Sequence, residues 1–207
     1  EFNHFFLPLI RSPHPIPIDK FNNKNRKRLV LVNANKTAFG SKNELYSERL
    51  RAIKYFSGSN FDLYGYGWDR KPGFPYCFFS RYIKRAYRGT VEDQISTLSK
   101  YKFAACFENA VFEGYLTEKI FNCLFAGTIP IYYGAPDIEK YVPKECFIDF
   151  RQFKNYKELD AFLENMTQAQ IDSCRFAAFE YLQSPKTELF SEGHFAETIF
   201  SLISRGG

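Results

Sequence analysis

Residues 102–136 read KFAACFENAVFEGYLTEKIFNCLFAGTIPIYYGAP, and their pattern decides the fold. The five mostly apolar residues 103–107 form a continuous run, the kind buried on both faces of a parallel sheet. Glu108 and Asn109 end it, and a loop through Gly114 and Tyr115 leads to Thr117. Thr117 is a good N-cap for a helix whose buried stripe is Ile120, Phe121, Leu124 and Phe125. The spacing therefore predicts a helix over 118–125 and a second strand over 129–132. In an open parallel sheet, ligands bind beyond the carboxyl ends of the strands, which is where Glu108 and Asn109 fall.

The same alternation extends outward. RLVLVN at 28–33 reads as a buried strand, 42–56 as a helix, and 61–64 as a strand stopped by Gly65 and Gly67. A Pro, Gly and ring-rich stretch (71–82) precedes a helix near 91–98. A short strand at 147–148 and helices near 157–164, 168–182 and 195–203 complete the chain. The predicted class is α/β, a Rossmann-like parallel sheet with helices on both faces. Residues 26–207 form that domain. Residues 1–25, with Pro8, Pro13, Pro15 and Pro17, read as a connector or the remnant of a preceding domain.

Composition narrows the classes. The 207 residues are 45% hydrophobic and carry a net charge of +5, which excludes intrinsic disorder. With 24 Phe and 14 Tyr, a ring-filled core and a ring-lined groove are expected. The mild positive excess suits an anionic small ligand or a membrane surface and does not demand nucleic acid. The five cysteines include no Cys-x-x-Cys pair and only three His are present, so no structural zinc site is expected. Buried reduced thiols in a reducing compartment are the expectation.

Three groups of residues bear on chemistry. Glu118 and Lys119 stand in the first turn of the 118–125 helix, where free N–H groups and the positive dipole end favour phosphate. A cation there is disfavoured unless an anion joins it, so Lys119, with Tyr115, suits a diphosphate and Glu118 the hydroxyls of a ribose. On chemistry alone, a solvated first turn explains Glu118 and Lys119 equally well. In the cluster Glu48, Arg49 and Arg51 an Arg is placed to reach the same ligand across a solvent-filled cleft, a salt-bridged helix surface being the alternative. The basic, ring-rich run 70–88 reads as a solvated loop face, with nucleic-acid or lipid binding as the alternative. Glu108 and Glu113 are the remaining acids near the motif, each placed to act on a water.

The run FEN…GYLTEKI, together with YRGTVEDQISTLSKYKF (87–103), LYGYGW (63–68) and KECFIDFRQF (144–153), resembles the α-1,3/4-fucosyltransferases of glycosyltransferase family 10. The likeness covers roughly residues 28–165 and is nearer the bacterial members than the animal Golgi enzymes. It implies the C-terminal half of a two-domain GT-B enzyme that binds GDP-fucose and transfers L-fucose, with inversion, to a glycan acceptor through an α-1,3 or α-1,4 linkage. Carried over, Asn109, Tyr115 and Lys119 contact the diphosphate or fucose, Glu118 the ribose and Arg49 the pyrophosphate, while Asn33 fits an Asn closing the first strand. The general base belongs to the missing N-terminal domain. No obligatory cofactor or metal is implied, although a divalent cation is allowed to stimulate transfer. The implied setting is a bacterial cytoplasm with peripheral membrane contact, the Golgi lumen being the alternative. Two other readings stand beside this one, a non-catalytic GDP-sugar-binding module and a basic nucleic-acid- or membrane-binding domain.

Overall fold

A computed structural model of the chain describes Ile10, residues 25–36, 41–70 and 76–205. Five parallel strands, β1 (Lys27–Val32), β2 (Phe61–Tyr64), β3 (Tyr101–Phe107), β4 (Ile129–Tyr133) and β5 (Ile148–Asp149), lie in the order β2-β1-β3-β4-β5. Chain order reverses between β1 and β3, the switch point at which open parallel sheets hold ligands. The expected connector at 1–25 lies outside the described residues, apart from Ile10 and Asn25.

The strands are apolar on both faces because both are covered. Leu29 and Leu31 of β1, Phe103 and Phe107 of β3 and Ile131 of β4 pack with α1 (Tyr46–Phe56), α2 (Ser80–Ala86) and α5 (Tyr156–Asn165). The intervening residues Val30, Ala104, Cys106 and Tyr132 pack with α3 (Gln94–Leu98), α4 (Glu118–Phe125) and α6 (Gln168–Leu182), and a final helix, α7 (Glu192–Arg205), follows. The period of two along each strand thus sorts one sequence into two cores.

Sequence patterning places β2, α4 and α6 to the residue, and misses in instructive ways at other elements. The helix expected over 42–56 begins at Tyr46, and that over 91–98 is confined to Gln94–Leu98, capped by the Asp93 carboxylate. The ring-rich run taken as loop contains α2, whose short apolar face (Ile83 and Ala86) is masked by flanking Arg, Lys and Tyr. Among the cysteines, Cys106, Cys123 and Cys146 are buried and free, as expected, while Cys77 is exposed and Cys174 half-buried.

Two contacts lock the carboxyl ends of β1 and β2. Gly65 has φ +138°, and a Cβ there would stand 1.9 Å from the Asn33 carbonyl oxygen, a place only glycine fills. Trp68 donates its indole N–H to that same oxygen at 2.6 Å. On the same edge strand the buried Asp62 of β2 accepts from Lys27 (2.8 Å) and Tyr101 (2.7 Å) and pairs with Arg88 at 2.7 Å. Burial alone pushes the Asp62 carboxyl upward; these hydrogen bonds and the Lys27 and Arg88 charges outweigh it and hold the pKa below the ordinary value.

Because the folded-state pKa is depressed, this stabilisation is present above about pH 4 and is lost as pH falls through the lowered value. Asp62→Asn is expected to cost about 1–3 kcal/mol at pH 7, and less at pH 3, in chemical denaturation. Equal losses at both pH values would contradict the charge-based account.

Candidate functional site

The carboxyl ends of β1 and β3 and the start of α4 enclose a cleft of about 260 Å³. Asn33, Lys36, Arg49, Asn109, Thr117, Glu118 and Lys119 border it, with Gln94 from α3. Five of the six site residues expected from sequence therefore share one cleft. The sixth, Tyr115, joins through its hydroxyl, which accepts from Asn109 Nδ2 at 3.1 Å. A larger cavity, about 460 Å³, lies among Glu139, Tyr141, Pro143, Lys186 and Phe190. The smaller one is the better candidate because it joins the switch point to a helix N-terminus and to Arg49 and Lys119.

Arg49 is the main correction. It is only 2% exposed, and one guanidinium nitrogen, Nη2, donates to the carbonyls of Phe107 (2.9 Å) and Glu108 (2.7 Å) and to Asn109 Oδ1 (2.9 Å). It does not stand in open solvent; it borders the cleft from inside the protein. Burial lowers its pKa, an effect countered by Tyr46 and Glu108. Its Nε has no hydrogen-bond partner among the described residues. Asn109 is thereby oriented: its oxygen faces Arg49 and its amide nitrogen faces Tyr115.

The loop joining β3 to α4 is fastened at both ends. Leu45 N–H donates to Asn109 O at 2.9 Å, Val111 N–H to Asn43 O at 2.8 Å, and Gly114 N–H to the Asp137 carboxylate at 2.8 Å. Thr117 occupies the N-cap position of α4, but its side chain makes no capping hydrogen bond. Its hydroxyl donates instead to Glu108 Oε2 at 2.6 Å, so no side chain of the helix's own cap competes for the first-turn amides. The far end of α4 carries cations: Arg26 donates to Ala126 O and Gly127 O, and Arg175 Nε to Gly127 O at 3.0 Å. Arg26 is brought down to about 10 by burial and then by the Arg175 charge, and it stays protonated at neutral pH. Cations on the C-terminal carbonyls and open amides at the N-terminus suit the α4 dipole to an anion.

Gln94 is the residue that sequence reasoning missed, and Glu108 is the one it misread. Glu108 has no exposure and cannot act on a water; Glu113 is exposed on the loop. Gln94 has its side-chain oxygen held by Asn122 Nδ2 at 2.8 Å, a link between α3 and α4 that the short helix pattern did not signal. The basic run is largely engaged, with Arg88 on Asp62 and Arg70 and Arg81 over the rings of Tyr66 and Tyr82. Among the described residues, no group of three His, Cys, Asp or Glu side chains is set to hold a metal ion, and no helix is long and apolar enough to cross a membrane.

A switch-point cleft beside an uncapped helix N-terminus defines a Rossmann-like domain of the kind found in GT-B glycosyltransferases. A solved α1,3-fucosyltransferase crystallised with GDP shares this fold at TM-score 0.52 and 21% identity, covering 90% of this chain and 48% of that one. The chain belongs to glycosyltransferase family 10, the fucosyltransferases: the model of that family's C-terminal part matches residues 23–195. Relatives include an α-(1,3)-fucosyltransferase of Helicobacter pylori, 44% identical over 68 residues, 33% of this chain and 14% of that protein. A GDP-fucose protein O-fucosyltransferase 3 of Xenopus laevis is 40% identical over 70 residues, 33% of this chain and 15% of that protein. The matched stretches are thus a small part of either relative.

Arg49→Ala removes the donor to two interior carbonyls and is expected to cost about 3 kcal/mol of stability, with Arg49→Lys recovering only part. Denaturant midpoints check this. An unchanged midpoint for Arg49→Ala would contradict the buried role.

Proposed function

We propose that this chain is the donor-binding part of a fucosyltransferase, holding the diphosphate of GDP-fucose in the β1–β3 cleft. One observation carries the reading: Lys119, the Arg49–Asn109–Tyr115 chain and the uncapped amides of α4 converge on a single cleft at the switch point. The GDP-fucose in the name of the Xenopus relative supports the donor assignment.

The chemistry follows from the leaving group. When the sugar–phosphate bond breaks, negative charge gathers on the β-phosphate of GDP. Lys119, Arg49 and the α4 amides stabilise that charge as it develops. Glu118, at the edge of the same cleft, receives the ribose hydroxyls. The acceptor hydroxyl attacks from the opposite face of the fucose, inverting it, and loses its proton to a carboxylate of a facing domain. A glycan acceptor with an α-1,3 or α-1,4 linkage is the reading we favour, in line with the Helicobacter relative.

Calorimetric titration tests the donor assignment. GDP is expected to bind, and Lys119→Ala to weaken it by about 1.5–3 kcal/mol, the scale of a charge-assisted hydrogen bond. Glu118→Gln should weaken GDP while leaving inorganic pyrophosphate unharmed. Absence of GDP binding by the unaltered chain would contradict the reading.

A further inference from the structure

We propose that Glu108 is the positioning residue of this anion site, a carboxylate sealed inside the protein that fixes where the Lys119 ammonium and the first turn of α4 stand. The proposal rests on the donor-site reading above, and deepens it. Glu108 is not among the residues bordering the cleft, so it acts through its neighbours and not on the ligand.

Its bonds define those neighbours. One oxygen, Oε1, accepts from Thr117 N–H at 3.0 Å; the other, Oε2, accepts from the Thr117 hydroxyl at 2.6 Å and from Lys119 Nζ at 3.2 Å. Lys119 Nζ also donates to the Thr117 hydroxyl oxygen at 2.8 Å. Every one of these bonds leads to the start of α4. A carboxylate with no solvent exposure is tolerable only when paired in this way.

Two consequences follow for an anion. The Thr117 hydroxyl, spent on Glu108 and Lys119, is unavailable to cap the helix, and the first-turn amides stay open to the cleft. Lys119, normally a flexible four-carbon stem, is already ordered on two oxygens, its side chain 15% exposed at the cleft wall. Binding an anion then costs little further ordering of that side chain.

Independent support comes from across the sheet. Gly134, just after β4, does not need glycine for its backbone angle; it needs the space. A Cβ there would lie 2.5 Å from Glu108 Cγ and 2.6 Å from the Tyr132 hydroxyl. The end of β4 is therefore cut back to admit this carboxylate.

The test is a double-mutant cycle on the 207-residue chain, with inorganic pyrophosphate, GDP and guanosine as probes. Glu108→Gln is expected to weaken pyrophosphate and GDP about tenfold and guanosine less than about twofold, the phosphate-only signature that a general structural defect would not produce. In a Lys119→Ala background, the same change should cost less than about threefold, because the effect runs through Lys119. Independent, multiplying losses, or an equal loss for guanosine, would overturn the proposal. Should Glu108→Gln fail to fold, Thr117→Val removes the bridging hydroxyl from a half-exposed site. A loss confined to the phosphate-bearing probes supports the proposal, and an unchanged pyrophosphate affinity overturns it. Pyrophosphate binding without GDP binding removes the nucleotide reading while leaving the role of Glu108 intact. GDP binding with no coupling removes the role of Glu108 alone, and binding of neither contradicts both.

Discussion

One buried guanidinium organises the carboxyl edge of the sheet. In register, β1 accompanies β3 only as far as Ala104, so the carbonyls of Phe107 and Glu108 lie beyond the reach of its ladder. Left without donors in the interior, they would cost a few kcal/mol. Arg49, from the helix that follows β1, fills that place and extends its third bond to Asn109. The chain then leaves the sheet at a fixed point, with Asn109 held between Arg49 and the Tyr115 hydroxyl. A cation used this way is half structural and half electrostatic. It builds the wall of the cleft and charges it.

Helix α4 completes the field. Its C-terminal carbonyls are held by Arg26 and Arg175, and its first turn by nothing of its own cap. Eight residues is a short helix, and burial of Ile120, Phe121, Leu124 and Phe125 secures it more than propensity does. That leaves its ends free to be tuned for charge: cations behind, open amides in front. The chain belongs to the fucosyltransferase family, and this electrostatic layout suits an anion at the start of α4, in keeping with the donor reading proposed above.

What the sequence made legible follows the strength of the local signal. A short ring-rich run stopped by Gly65 and Gly67 marked β2, and a stripe at helical spacing after Thr117 marked α4, both to the residue. Residue types pointed to Lys119 and Glu118, the resemblance added Asn109 and Arg49, and the fold brings all four to one cleft. The burial of Arg49 was not legible, since it depends on a carbonyl 58 residues away with no periodicity to announce it. The same holds for Glu108 and Thr117. Thr117 is a good cap by type, yet a carboxylate nine residues earlier captures its hydroxyl. Glu108 reads as a polar strand end facing solvent, and only the missing side chain at Gly134 reveals the space it occupies. Long-range hydrogen bonds of this kind leave no mark on local pattern.

The central claim is where the diphosphate sits, and amide chemical-shift mapping during a GDP titration tests it most directly. The account predicts that the largest perturbations fall on the backbone of residues 33–36, Asn109 and residues 117–120, with the helix amides shifting as hydrogen-bond donors to phosphate do. Perturbations centred instead on the cavity around Tyr141 and Lys186, or on the basic helix at Ser80–Ala86, would contradict it.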